Sequence, residues 1–193
     1  INHCILRDND DDGIELRLHP YSGEELHTTI RNSVISGNGE DGLQLIWYNE
    51  PTNRRISLFN NLFADNEMAA IACMDDSTTR EDYRGAQIPE RIEVINNTFV
   101  NNPYGIVGGA NVQLRDNKFI GCSSSVLRRV GSGSKLEGNI AWECTFLSEE
   151  MDPAESGFRF VIPPSQGRLG EKWPLIPGIE AAKRSRWIPA APA

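Results

Sequence analysis

The chain has 193 residues, a net charge of −8 and a pI near 4.9, with 39% hydrophobic and 24% charged residues, a globular mixture long enough to bury one core. The acidic balance argues against a nucleic-acid phosphate backbone as the main partner, because that surface selects a basic face. No apolar run approaches the ~18 residues that cross a membrane, and no charged, apolar, then small-residue leader opens the chain.

The first residues, INHCIL, already belong to a pattern that recurs downstream, so the expectation is a piece of a longer protein lacking its N-terminal part. Next comes RDNDDDGIEL, with Asp8, Asp10 and Asp12 on alternate positions ahead of Gly13. A helix-loop-helix calcium loop begins this way. Its eighth position should be apolar and is Glu15, and its twelfth should be a bidentate Glu and is His19. Two readings stay open. Calcium would be held by Asp10, Asp12, Asp41 and backbone carbonyls, or the stretch is a solvated turn in which Asp12 and Asp41 accept backbone amides.

HCILRDNDDDGIEL aligns without a gap on NSVISGNGEDGLQL from Asn32, and further copies begin at Asn60, Asn96, Asp116 and, fading, Gly138. These make six rungs. One column reads Cys4, Ser33, Asn61, Asn97, Asn117, Asn139; another reads Leu6, Ile35, Phe63, Phe99, Phe119, Ala141; a third reads Asn9, Asn38, Asn66, Asn102, Cys122, Cys144. Alternating pairs precede the first column: Thr28 and Ile30, Ile56 and Leu58, Ile92 and Val94, Val112 and Leu114. A strand follows the third column, with Ile14, Leu43, Ile71, Ile106 and Val126 as its inward position. Copies stacked in register explain identical columns, because like residues then lie one above another at the ~4.8 Å strand spacing.

The N-N-x-F-x-x-N pattern and the D-G-[IL]-x-L strand, present as DDGIEL and EDGLQL, resemble the right-handed parallel β-helix superfamily, the pectin-lyase-like fold. The resemblance covers residues 1–147 and implies an all-β solenoid. It also implies a secreted or periplasmic bacterial setting and a polysaccharide lying along the sheet that holds the D-G-[IL] strands. The fold carries lyases, hydrolases, epimerases, tailspikes and adhesins, so function has to come from the site.

Insertions follow that strand in three adjacent rungs, HPYSGEELH, YNEPTNR and DDSTTREDYRGAQIPER, and would wall a groove. Alternation sets Glu15, Arg17 and His19 outward in the first rung, Gln44, Ile46 and Tyr48 in the second, and Ala72, Met74 and Asp76 in the third. Arg17 suits a uronate carboxylate, Tyr48 or Trp47 a sugar face, and Glu15 with Asp76, Asp12 or Asp41 general acid and base work. Asp12 with Asp41 looks similar to the acidic pair of polygalacturonase-like hydrolases, although the G-H-G and R-I-K that complete that family's set are absent. Lyases of the fold commonly use Lys or Arg as base. Arg128 and Arg129 lie on the groove strand of the fifth rung, with Arg129 outward as a distant subsite. The rival to a lyase or hydrolase is a non-catalytic glycan-binding or structural β-helix whose same residues hold only sugar or solvent.

None of the four cysteines forms C-x-x-C, and Cys122 with Cys144 falls in one column on adjacent rungs, as a disulfide or as two small buried thiols. VGSGSKLEG misses phosphate-loop spacing and reads as a turn. Residues 148–193, rich in Pro and Gly, read as an irregular extension, part of which Trp173 and Trp187 would pack.

Overall fold

The structure, a computed structural model, describes residues 1–76, 85–145, 148 and 158–161. These residues hold strands and turns and no helix, and the strands recur in threes. β1 (Ile5–Arg7), β2 (Ile14–Leu18) and β3 (Leu26–Arg31) are followed by β4 (Val34–Ser36), β5 (Leu43–Trp47) and β6 (Arg54–Phe59). Then come β7 (Leu62–Ala64), β8 (Ala69–Asp75) and β9 (Arg91–Ile95), and after them β10 (Thr98–Val100), β11 (Tyr104–Val107) and β12 (Val112–Arg115). β13 (Lys118–Ile120), β14 (Ser125–Arg128) and β15 (Lys135–Glu137) precede β16 (Asn139–Trp142) and β17 (Phe158–Val161).

Every pairing is parallel, and all but that of β17 join equivalent strands of successive copies. The result is three sheets, ordered β1-β4-β7-β10-β13-β16-β17, β14-β11-β8-β5-β2 and β15-β12-β9-β6-β3, the topology of a β-helix solenoid. The insertion between Asp76 and Gly85, together with Trp173 and Trp187, lies outside the described residues. Of the extension read from residue 148 onward, strand β17 is described, adding a parallel neighbour to β16.

The columns seen in the sequence are physical stacks. Leu6, Ile35, Phe63, Phe99, Phe119 and Ala141 pair in register, and the rings of Phe63, Phe99 and Phe119 stack with centroids 5.3 and 4.4 Å apart. On either side of these short strands stands a residue in left-handed conformation: His3, Asn32, Asn60, Asn96, Asp116 and Gly138 before, and Asp8, Gly37, Asp65, Asn101, Gly121 and Glu143 after. Asn, Asp and Gly tolerate that corner best. Most corners are followed by an asparagine of a ladder, with Cys4, Ser33, Cys122 and Cys144 in the remaining places. Asn61, Asn97, Asn117 and Asn139 pass Nδ2–H to Oδ1 at 2.9–3.3 Å, and Asn9, Asn38, Asn66 and Asn102 do so at 2.7–2.8 Å. N-N-x-F-x-x-N is therefore corner, ladder, strand with a core Phe, corner, ladder. Asn97, inside its ladder, is fully buried.

One column is displaced. Ile106 pairs with Leu127, not with Val126 as the gapless repeat implies. The N–H groups of Ser124 and Ser125 both donate to the carbonyl of Pro103, at 2.9 and 3.2 Å, so two residues oppose one in a β-bulge. Beyond it the register shifts by one and the outward positions exchange.

Candidate functional site

The face of interest is the outward side of the β14-β11-β8-β5-β2 sheet at its β2 edge. Register aligns Glu15, Gln44 and Ala72 in one outward column and Arg17, Ile46 and Met74 in the next. Beyond the strand ends, the loops are tied to one another. Tyr21 N–H donates to Pro51 O at 3.1 Å, Asn53 Nδ2 to Gly23 O at 2.6 Å, and Asn49 Nδ2 to Asp75 Oδ1 at 3.0 Å. Thr52 donates its N–H and hydroxyl to Glu90 Oε1, at 2.9 and 2.6 Å, fastening the second loop to the far end of the third.

Between floor and loops lies a cleft of about 440 Å³, lined among the described residues by Asp11, Asp12, Glu15, Arg17, Glu40, Gln44, Ile46, Tyr48, Met74, Asp75 and Asp76. Glu15, Arg17, Gln44, Tyr48, Asp76 and Asp12, each singled out from sequence, come together here. Arg17 is held in place: Nε and Nη2 donate to the two oxygens of Glu15 at 2.7 and 3.2 Å, and Nη1 donates to the Tyr48 hydroxyl at 3.2 Å. Those bonds, first with Tyr48 and then with Glu15, raise the Arg17 pKa further. His19 stacks on the Tyr48 ring, centroids 4.6 Å apart and planes 22° from parallel, so it positions the phenol and does not line the cleft. Asp76 is exposed at the mouth, its N–H donating to Trp47 O at 3.1 Å.

Other residues stand elsewhere. Trp47 packs against the core and donates Nε1–H to Glu50 O at 3.0 Å, because it pairs in register with inward Leu18. Arg129 follows the opposite edge strand, β14, in left-handed conformation, its carbonyl accepting Gln87 Nε2 at 2.7 Å. The bulge gives the outward place to Arg128, which pairs in register with Val107 and donates Nη1–H to the Tyr104 hydroxyl at 3.2 Å. Asp41 is fully buried, and its Oδ1 accepts the Ala69 N–H at 2.7 Å, a structural bond to the next strand. Asp10 is exposed in its turn, outside the cleft lining, and Asp8 pairs with Arg7 at 3.5 Å.

The acids the sequence reading passed over are Asp11, Glu40 and Asp75. Asp11 and Glu40 occupy one repeat column, one above the other, which was visible in the alignment as two acids in register. Asp11, Asp12 and Glu40 can bring one oxygen each within 4.8 Å of one another. Burial, then a hydrogen bond to and the charge of Asp11, hold the Glu40 carboxyl above the usual carboxylate range. By placement this trio suits a hard cation such as calcium better than the Asp10, Asp12, Asp41 set, whose Asp41 is buried with its Oδ1 accepting the Ala69 N–H. Asp12 Oδ1 already accepts the Asp41 N–H at 2.9 Å, which leaves few side-chain oxygens against the 6–8 that calcium takes.

No protein-family model, curated protein or solved structure matches the chain.

Proposed function

We propose that this chain belongs to a right-handed parallel β-helix of the pectin-lyase-like kind, with six visible rungs, from a secreted or periplasmic bacterial protein acting on a polysaccharide in the cleft. The observation that carries the reading is the cleft itself: carboxylates facing a phenol that His19 and Arg17 hold rigidly, on a floor with the apolar patch Ile46 and Met74. A sugar offers the matching chemistry, an apolar ring face for Tyr48 and hydroxyls for carboxylate acceptors.

Hydrolysis suits the cleft better than β-elimination. Elimination wants a basic side chain at the C5 proton and a cation on the uronate. Arg17, the cation lining the cleft among the described residues, is engaged by Glu15 and Tyr48. Hydrolysis wants one carboxyl kept protonated beside an ionised one. Glu40, its pKa raised by burial and by Asp11, is the acid, and Glu15, paired with Arg17 at 2.7 Å, is the partner carboxylate. The binding-only reading draws on the same closed Glu15–Arg17–Tyr48 set, which needs no reaction to account for it.

The test is incubation with neutral and uronate oligosaccharides. New reducing ends that disappear in both Glu40→Gln and Glu15→Gln support hydrolysis. An ultraviolet-absorbing unsaturated product moves the assignment to a lyase, and binding with neither product leaves a glycan-binding module.

A further inference from the structure

Cys122 and Cys144 stand two residues beyond the neighbouring strands β13 and β16, in the register those strands set. Ile120 pairs with Trp142, Gly121 N–H donates to Trp142 O at 3.0 Å, and Thr145 N–H donates to Cys122 O at 2.9 Å. The two cysteines continue the column in which Asn9, Asn38, Asn66 and Asn102 pass hydrogen bonds from side chain to side chain. Where that ladder would extend stand two thiols: Cys122 hydrogen-bonds to the Cys144 sulfur, and the Cys144 thiol donates to Trp142 O at 3.5 Å. Parallel neighbours lie ~4.8 Å apart, inside the ~4.4–6.8 Å Cα separation that a disulfide spans. Both are free thiols, Cys122 fully buried and Cys144 partly exposed.

We propose that Cys122 and Cys144 are a modification site, closing to an intrachain disulfide by exchange with a small-molecule disulfide and reopening under thiol reductant. Cys144 is the entry point, being the accessible member of the pair. The hydrogen bond from Cys122 holds its thiol below the usual range, while the same bond, with burial, pushes Cys122 up. The Cys144 thiolate attacks one sulfur of the oxidant, forms a mixed disulfide and expels one thiolate. That thiolate takes the Cys122 proton, and the Cys122 sulfur attacks Cys144, breaking the mixed disulfide and expelling the second thiolate, which is protonated from solvent. Two protein thiols are oxidised and one oxidant disulfide is reduced to two thiols. Cys73 stays out of the exchange, because burial, with the charge of Asp41 adding, pushes its thiol up to about 12.

The closed bond clamps the segment containing β14, β15 and β16 and joins the turns in which the column ends. Its site is on the seven-stranded sheet, away from the cleft, so the inference stands whether or not the cleft binds a sugar.

The test uses the full chain carrying Cys4→Ser, since Cys4 is exposed and would form dimers. It is incubated with oxidised glutathione, digested with trypsin and mapped by mass spectrometry. The expected product links the peptide beginning at Phe119 to the one beginning at Leu136. The thermal midpoint rises by roughly 5–10 °C, and reductant reverses the rise. Cys144→Ser should melt like the reduced parent and gain nothing from oxidant. Glutathione left on Cys144, Cys122 unmodified under oxidant, or Cys122 linked to Cys73 would each overturn the proposal. The peptide map needs no variant at the buried Cys122, where a failure to fold would obscure the result.

Discussion

Oδ1 of Asn97 accepts both the backbone N–H of Asn61, at 2.8 Å, and its side-chain Nδ2–H, at 3.0 Å. Its own Nδ2 donates to Leu58 O at 2.8 Å and Ile95 O at 3.1 Å. One buried amide thus satisfies groups on two copies of the repeat. Asn97→Leu keeps the volume and removes every one of these bonds, leaving the Asn61 N–H buried without its acceptor. At ~1–3 kcal/mol for each stranded group, the loss should reach about 3 kcal/mol or more in urea unfolding. An effect below ~1 kcal/mol would mean the ladder is ornament to the Phe stack.

Glu40 gives stability a pH dependence of known sign. Its carboxyl is held above the ordinary range in the folded chain and returns to it on unfolding, so the folded state binds the extra proton between those two values. Stability therefore falls as pH rises through that window, and the cost persists above it. Glu40→Gln should be more stable than the parent at neutral pH and equal to it below the ordinary carboxylate range. Melting curves across that range decide the matter, and a variant less stable at neutral pH would show that Glu40 is held there as a stabilising anion.

The repeat made the core and the ladders legible because like residues must stack. The column Phe63, Phe99, Phe119 and the chain of asparagines needed only a gapless alignment. What escaped is what breaks period two. A bulge at Ser124 and Ser125 is silent in the alignment, and it moved Leu127 inward and gave the outward place to Arg128 instead of Arg129. Trp47 looked like a sugar platform by composition, yet its position in the strand is that of Leu18. Asp11 and Glu40 were passed over because they sit in the turn before the strand, where an outward alternation rule has nothing to say. Glu15, Arg17 and Tyr48 obeyed that rule and were found.

Calcium is expected to bind the Asp11, Asp12 and Glu40 carboxylates weakly, with a dissociation constant of about 10⁻⁴ M or above, because Asp12 shares its oxygens with the Asp41 N–H. Titration calorimetry with calcium alone measures it. Micromolar affinity that disappears in Glu40→Gln would instead establish a built cation site and restore the case for uronate chemistry.

Arg17 and Arg129 separate a site from a surface. Arg17 lies in the cleft, bonded to Glu15 and Tyr48, whereas Arg129 is exposed beyond the far edge strand. If an oligosaccharide occupies the cleft, Arg17→Ala frees both partners and removes a charged donor. The expected loss is roughly 1.5–3 kcal/mol, about ten- to a hundredfold in affinity, against less than ~1 kcal/mol for Arg129→Ala. Tyr48→Phe should fall between them, since it keeps the ring stacked on His19 and removes only the hydroxyl that Arg17 grips. Binding to an immobilised glycan panel compares the three variants directly. Equal losses for Arg17→Ala and Arg129→Ala would place the sugar outside the cleft, and with it the acid and base roles given to Glu40 and Glu15.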